Sequence, residues 1–179
     1  MVLRLETSLL VRGPGPATVV AAKVAGACGQ PCLLVGHEIT GDDEAVVLDV
    51  AGLDALEQYG LVDVLRPHLV DAHPPSIVPS EFEYVLRQHC IADLNVSVYD
   101  RFDVVDRVVR DGTLHGVLTD GTSRWELVAD TWIDAATLAT SLPAAIHDGA
   151  LAARHAIDVL TRKDRTGPGL RRRARRRRR

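Results

Sequence analysis

Thr7–Val35 reads TSLLVRGPGPATVVAAKVAGACGQPCLLV, and its order of apolar, Gly/Pro-rich and small-residue pieces decides the fold class. Ser8–Arg12 is almost wholly apolar, as a strand covered on both faces requires. Pro16 opens a helix of alanines and valines whose small side chains allow close packing on a sheet. Gly29 stops that helix, Pro31 follows it, and Cys32–Val35 is a second apolar strand. Between first strand and helix, Gly13 and Gly15 stand at the first two glycines of G-x-G-x-x-G, with Thr18 at the third. A β-α-β unit with that turn binds the diphosphate of a dinucleotide, because the free N–H groups and dipole of the helix N-terminus favour an anion. Gly13, Gly15 and Pro16 are therefore candidate diphosphate residues, and the plainer alternative is a tight strand–helix turn with nothing bound. The Thr18 hydroxyl could reach a phosphate, but a packing substitution is the stronger reading of a β-branched residue at a glycine position.

Outward from this unit, Ile39–Glu44 is polar and Gly-bearing, which predicts a loop. Leu53, Leu56, Leu61, Val64 and Leu65 predict a helix broken near Gly60. Ala72–Pro79 holds three of its apolar breaks as prolines and predicts a linker. Ser80 followed by Glu83 has the spacing of a capping box, with Phe82, Val85, Leu86 and Cys90 on one helical face behind it. Val96–Tyr99 predicts a third short strand. Asp103–Val128 then alternates β-rich runs with Asp111-Gly112 and Asp120-Gly121, a pattern that predicts a three-stranded meander. Thr131–Asp134 is expected as a separate buried strand. Ser141 and Pro143 open a final helix with Ile146, Ala150, Ala153, Ile157 and Leu160 inward, and Gly167-Pro168-Gly169 ends the folded part. The order predicts an α/β domain over residues 1–163: a parallel sheet with helices and an inserted three-stranded meander.

At 179 residues with a 46% hydrophobic share, the chain is long and apolar enough for one well-buried core. No apolar run approaches the roughly 18 residues of a membrane span, and the N-terminus lacks a secretory pattern. Three cysteines, Cys28, Cys32 and Cys90, form no paired framework, so a cytoplasmic protein with reduced thiols is expected. The net charge of −3 hides an asymmetry: the last ten residues, LRRRARRRRR, carry 8 arginines, while the rest holds 13 basic against 24 acidic side chains, a net of −11. Like charges repel, so residues 164–179 are expected to be a disordered Arg-rich tail that could bind an acidic partner, an anionic membrane or nucleic acid, the plainer alternative being an appendage with no role of its own or one that folds back on the acidic body. It carries no interleaved aromatics that would read bases.

Three segments together resemble the flavin-binding domain of FAD-dependent oxidoreductases with the glutathione-reductase-like FAD/NAD(P)-binding fold. Val11–Thr18, VRGPGPAT, is similar to the family's V-x-G-x-G-P-A-G. Val78–Tyr99 looks like the helix and strand before its meander. Val104–Thr137 looks like the meander and the strand ending in I-D-A-T-G, here Ile133-Asp134-Ala135-Ala136-Thr137. SLPAAIHDGALAARHAI is similar to the last helix. The resemblance implies a Rossmann-like fold, FAD as cofactor, and cofactor contacts at Gly13, Gly15, Pro16, Ala17, Thr18, Glu38, Ala136 and Thr137. Where the family places the acid that holds the adenosine ribose, this chain has Gly36, and Glu38 stands two residues on. The stretch between Gly36 and Ser80 is too short for the family's substrate domain. The chain thus looks like a truncated or degenerate flavin-binding domain that would need another subunit for substrate. The alternative is a non-catalytic structural or regulatory protein attached through its Arg-rich tail.

The remaining chemistry-bearing residues form no constellation. The histidines lack a metal-ligand spacing, and a helix end and a proline separate Cys28 from Cys32, so no metal site is expected. His147-Asp148 could sit beside a flavin ring, although a solvent-facing first turn explains the pair as well. Glu81 and Glu83 have the position of first-turn charges. No catalytic residue can be assigned from spacing.

Overall fold

Leu9, Leu10 and Val11 have no exposed surface, so the first strand is covered on both faces as its apolar run requires. A computed structural model describes residues 3–138 and 141–166. Its elements in chain order are β1 (Arg4–Arg12), α1 (Pro16–Ala27), β2 (Cys32–Val35), β3 (Val46–Val47), α2 (Val50–Glu57), α3 (Leu61–Leu65), β4 (Asp71–Ala72), β5 (Pro75–Ile77), α4 (Pro79–Ile91), β6 (Val96–Tyr99), β7 (Asp103–Arg110), β8 (Thr113–Thr119), β9 (Arg124–Asp134) and α5 (Leu142–Thr166). The main sheet has the order β6-β2-β1-β9-β8-β7. Its first four strands run parallel, and β7, β8 and β9 form the antiparallel meander. The expected α/β class, parallel sheet and meander are all present.

Three local expectations change. Thr131–Asp134 is the end of the third meander strand, not a strand of its own. No glycine or proline interrupts Glu126–Asp134, and parallel pairing to β1 carries the ladder through from Glu126 to Asp134. The proline-rich stretch after Ala72 is not a bare linker. Pro75–Ile77 is the centre of a small three-stranded sheet with β3 and β4, reached through a cis bond between His73 and Pro74. Proline is tolerated there because it begins the strand and its carbonyl alone is used, accepting the Leu48 N–H at 2.8 Å. Finally, Ser80 is not a cap. Pro79 takes the first helical position of α4 after Val78, so Ser80 falls inside the first turn and its hydroxyl donates to Asp43 Oδ1 at 2.9 Å. The capping box is absent, and Glu83 turns into the protein.

Helices α1, α4 and α5 cover one face of the sheet, where Val19, Val20, Leu34, Phe82, Leu86, Ile146 and Ala153 are buried in one cluster. Ala150 and Leu160 join the inner face of α5 as expected, while Ile157 is half-buried and Ala156 takes its place. The opposite face buries Leu10, Leu33, Val35, Leu118 and Leu127 under an aromatic trio. Phe102 stacks on Trp125 with ring centroids 5.0 Å apart, and Tyr99 meets both edge-on. The turns behave as their residues demand: Asp111 and Gly112 both adopt positive φ, the geometry of a two-residue hairpin. Gly60 breaks α2 from α3 in the left-handed region. Residues 164–166, expected as the start of the tail, are the last of α5; the expected Gly167–Gly169 stop and the rest of the Arg-rich tail lie outside the described residues.

Burial pushes the Asp93 carboxyl up. The hydrogen bond from Lys23 Nζ at 2.5 Å and the Asn95 N–H at 3.0 Å outweigh that and hold it below its usual value of 3.8. This contact pins α1 to the turn before β6. Because the folded value is depressed, its stabilisation is present above pH 3.8 and is lost as pH falls through the folded value. Lys23→Met is therefore expected to be less stable than wild type at neutral pH, with the gap closing below pH 3.8 in denaturant titrations. The second prediction concerns the α1–α5 crossing. A Cβ on Gly149 would lie 2.5 Å from the Ala17 carbonyl oxygen, where neither backbone can yield cheaply. Gly149→Ala should cost about 1–3 kcal/mol in urea unfolding, even though alanine is the better helix former.

Candidate functional site at the strand ends

The carboxyl ends of β1, β2 and β6 open together, since these strands are parallel neighbours. A cleft of about 880 Å³ lies there, and its walls include Arg12, Gly13, Gly36, Glu38, Arg101 and Asp103. In open parallel sheets this is where ligands bind. Arg12 ends β1 opposite Asp134, which ends β9. Its guanidinium donates to the Val104 carbonyl at 3.3 Å and lies 3.7 Å from Asp134 and 3.9 Å from Asp103. Arg107 donates to Asp134 at 3.0 Å, so two guanidiniums face that carboxylate. Arg12 Nε is buried without a hydrogen-bond partner. Arg87 pairs with Asp100 on the same wall.

The glycine turn has the conformation its sequence demands. Gly13 and Gly15 sit at φ 117° and 86°, where side chains are strained. A Cβ on Gly13 would lie 3.1 Å from the Ala136 N atom, so the turn and the segment after β9 touch. Ala136 and Thr137 are exposed on a short 3-10 turn held by Asp134, which accepts from the Ala136 N–H at 3.3 Å and, through its carbonyl, from the Thr137 hydroxyl at 2.8 Å.

Two of the turn's donors are engaged from within the chain. Pro14 and Pro16 have no N–H. The Gly15 N–H donates to the Glu38 carbonyl at 3.1 Å, and the Thr18 N–H to the Gly15 carbonyl at 3.3 Å. Thr18 is fully buried, and its hydroxyl donates to the Pro14 carbonyl at 3.0 Å. It acts as a packing residue that bonds back to its own turn. Gly15, Pro16 and Ala17 are buried as well. Glu38 has two faces: its carbonyl covers Gly15, while its exposed side chain is on the cleft wall.

Gly36 explains why no acid follows β2. Its φ is 63°, and a Cβ would stand 2.9 Å from the Phe102 carbonyl oxygen. No carboxylate side chain fits there. His147 is exposed, as its solvent-facing reading requires. Cys32 and Cys90 are buried, and burial pushes the Cys90 thiol up to about 12, which makes it inert. Among the described residues no cluster of His, Cys, Asp or Glu could hold a metal ion, and no helix is long and apolar enough to cross a membrane.

Sequence reasoning missed His37 and Glu83. Both side chains are fully buried, with His37 Nε2 3.2 Å from Glu83 Oε2. The signal was there: Glu83 lies three residues before Leu86 and seven before Cys90, on the apolar face of α4.

No family model and no curated protein sequence matches this chain. Solved structures do match. The flavin-dependent monooxygenase PieE, solved with FAD and substrate, superposes at a TM-score of 0.63 and 16% identity over 73% of this chain and 30% of that one. For p-nitrophenol 4-monooxygenase PnpA from Pseudomonas putida DLL-E4 the TM-score is 0.60 at 16% identity, over 74% of this chain and 40% of that one. For the OxyS anhydrotetracycline hydroxylase from Streptomyces rimosus it is 0.58 at 12% identity, over 73% and 31%. The chain has the Rossmann-like FAD/NAD(P)-binding fold. Identities this low establish fold and not activity. The chain spans 30% to 40% of the length of these three proteins.

The approach of Gly36 to Phe102 gives a direct prediction. Gly36→Ala forces a side chain into a left-handed conformation against a carbonyl, and should lower stability by about 1–3 kcal/mol in denaturant unfolding.

Proposed function

We propose that this chain is a truncated, FAD-dependent-oxidoreductase-like flavin domain, and that another protein subunit supplies the substrate half. The observation that carries this reading is the cleft at the ends of β1, β2 and β6, bounded by the glycine turn, on a fold shared with flavin-dependent monooxygenases. The residues present fit the cofactor in part. Gly13 leaves the narrow gap beside Ala136 that a Cβ would fill. Glu38 offers a carboxylate on the cleft wall for a ribose, and Arg12 and Arg101 offer cations there. Gly13, Gly15, Pro16 and Ala17 would face the diphosphate, with Thr18 packed behind them and Ala136 and Thr137 opposite. Bound flavin would supply the redox chemistry, and these residues would bind and orient it. The Gly15 donor, however, is engaged by Glu38.

That engagement favours a second reading. A turn whose amide is satisfied by its own chain needs no anion, which suits a non-catalytic structural or regulatory protein. Its Arg-rich end, Leu170–Arg179, would then attach it to an acidic partner or nucleic acid.

The visible absorption spectrum of the purified full chain, before and after incubation with FAD and removal of the excess, separates the two. A retained flavin spectrum is expected. A colourless protein that takes up no FAD would reject the flavin reading in favour of the second.

A further inference from the structure

Segment 37–43 is fastened to the N-terminal turns of two helices. At α1, the Glu38 carbonyl accepts the Gly15 N–H at 3.1 Å, and Thr40 Oγ1 stands 3.1 Å from where a Gly15 Cβ would be. At α4, the Asp42 carbonyl accepts the Ser80 N–H at 3.3 Å, and a Cβ on Gly41 would come within 2.5 Å of the Pro79 backbone. Backbone carbonyls of the chain thus stand on both helix ends, where an anion would be favoured.

We infer that Glu83 is a positioning residue that holds segment 37–40 as a plug over the glycine turn, and so decides whether the cleft admits a diphosphate-bearing ligand. This inference rests on the nucleotide reading above. The Thr40 N–H lies 3.3 Å from both Glu83 carboxylate oxygens, and His37 Nε2 lies 3.2 Å from Oε2. Both side chains are fully buried, so the grip is shielded from water and depends on Glu83 supplying the acceptors. The plug itself is lightly held on its outer side. Glu38, Ile39 and Thr40 are exposed, so lifting them breaks no apolar core. The closed arrangement also leaves His37 Nδ1 buried with no hydrogen-bond partner, a polar group that closure does not satisfy. Gly36, His37 and Glu38 line the cleft, so the plug is part of its wall and its displacement joins the cleft to the Gly15 amide.

The test compares wild type with Glu83→Ala, Glu83→Gln and Thr40→Pro in the full chain. Calorimetric titration uses FAD and, separately, inorganic pyrophosphate, and hydrogen exchange follows the amides of Gly15 and Leu86. Glu83→Ala, which removes the acceptors, and Thr40→Pro, which removes the N–H they hold, should bind both probes about tenfold tighter or more, because apparent affinity scales with the open fraction. Glu83→Gln keeps an acceptor for Thr40 and should stay near wild type. Exchange at Gly15 should quicken in the two opening variants while Leu86, inside α4, does not change. A merely structural Glu83 would speed exchange at both. If Glu83→Ala fails to fold, Thr40→Pro, which leaves the buried pair intact, carries the test. Equal affinity of wild type and Thr40→Pro for both probes overturns the plug and leaves the flavin reading standing. Pyrophosphate uptake by the opened variants without FAD uptake overturns the flavin reading and leaves the plug standing. A Gly15 amide that exchanges freely while neither probe binds overturns the plug.

Discussion

Parallel pairing of β1 with β9, from Arg4 opposite Glu126 to Arg12 opposite Asp134, is the constraint on which the rest depends. It is the longest ladder in the sheet's parallel part, and it joins residues more than a hundred positions apart. Register along it fixes which residues emerge together at the carboxyl end. A slip by one residue would reverse the faces of every side chain on β9. With the register as it is, Arg12 meets Asp134, and the glycine turn that follows β1 meets the 3-10 turn that follows β9. The cleft and the turn beside it are consequences of that one alignment.

Close helix packing is the second level. α1 reaches the sheet because its inward residues are alanine and valine, and α5 reaches α1 because Gly149 lies against Ala17. The same economy of side-chain volume acts at the site, where Gly13 admits Ala136 and Gly36 admits the Phe102 carbonyl. A dinucleotide turn uses small residues so that a ligand can come near. Here much of the nearness is taken by the chain's own backbone. Glu38 and Thr40 stand over Gly15, and the helix dipole that would favour a phosphate is met by a carbonyl dipole. Fold and site are therefore separable: the fold is shared with a part of solved flavin-dependent monooxygenases, and the Gly15 amide is satisfied without a ligand.

Much of the architecture was legible because its signals are local. The apolar runs of β1 and β2, the Asp111-Gly112 turn and the Gly60 break each report backbone geometry through residue type. The errors share a cause, which is that competing local signals were settled elsewhere in the molecule. Thr131 looked like the start of a strand of its own, but β9 pairs with β1 on both sides of it, from Glu126 to Asp134. Ser80 and Glu83 had capping spacing, but Pro79 took the first helical position and Glu83 was drawn inward by Thr40 and His37. Strands of two and three residues, such as Asp71–Ala72 and Pro75–Ile77, are too short for periodicity to reveal.

The sequence by itself determined the β-α-β unit, the meander, the glycine turn and the absence of an acid directly after β2. Each of these follows from the conformational limits of Gly, Pro and Asp or from apolar periodicity, which act over a few neighbouring residues. Only the tertiary structure decided that Glu38 would present its carbonyl to Gly15 and that Thr18 would bond back to Pro14. The burial of Glu83 with His37 was decided there too. Those outcomes depend on which donors and acceptors come within about 3 Å of one another, and a hydrogen bond between residues 46 positions apart, as between His37 and Glu83, leaves no periodic trace in the chain.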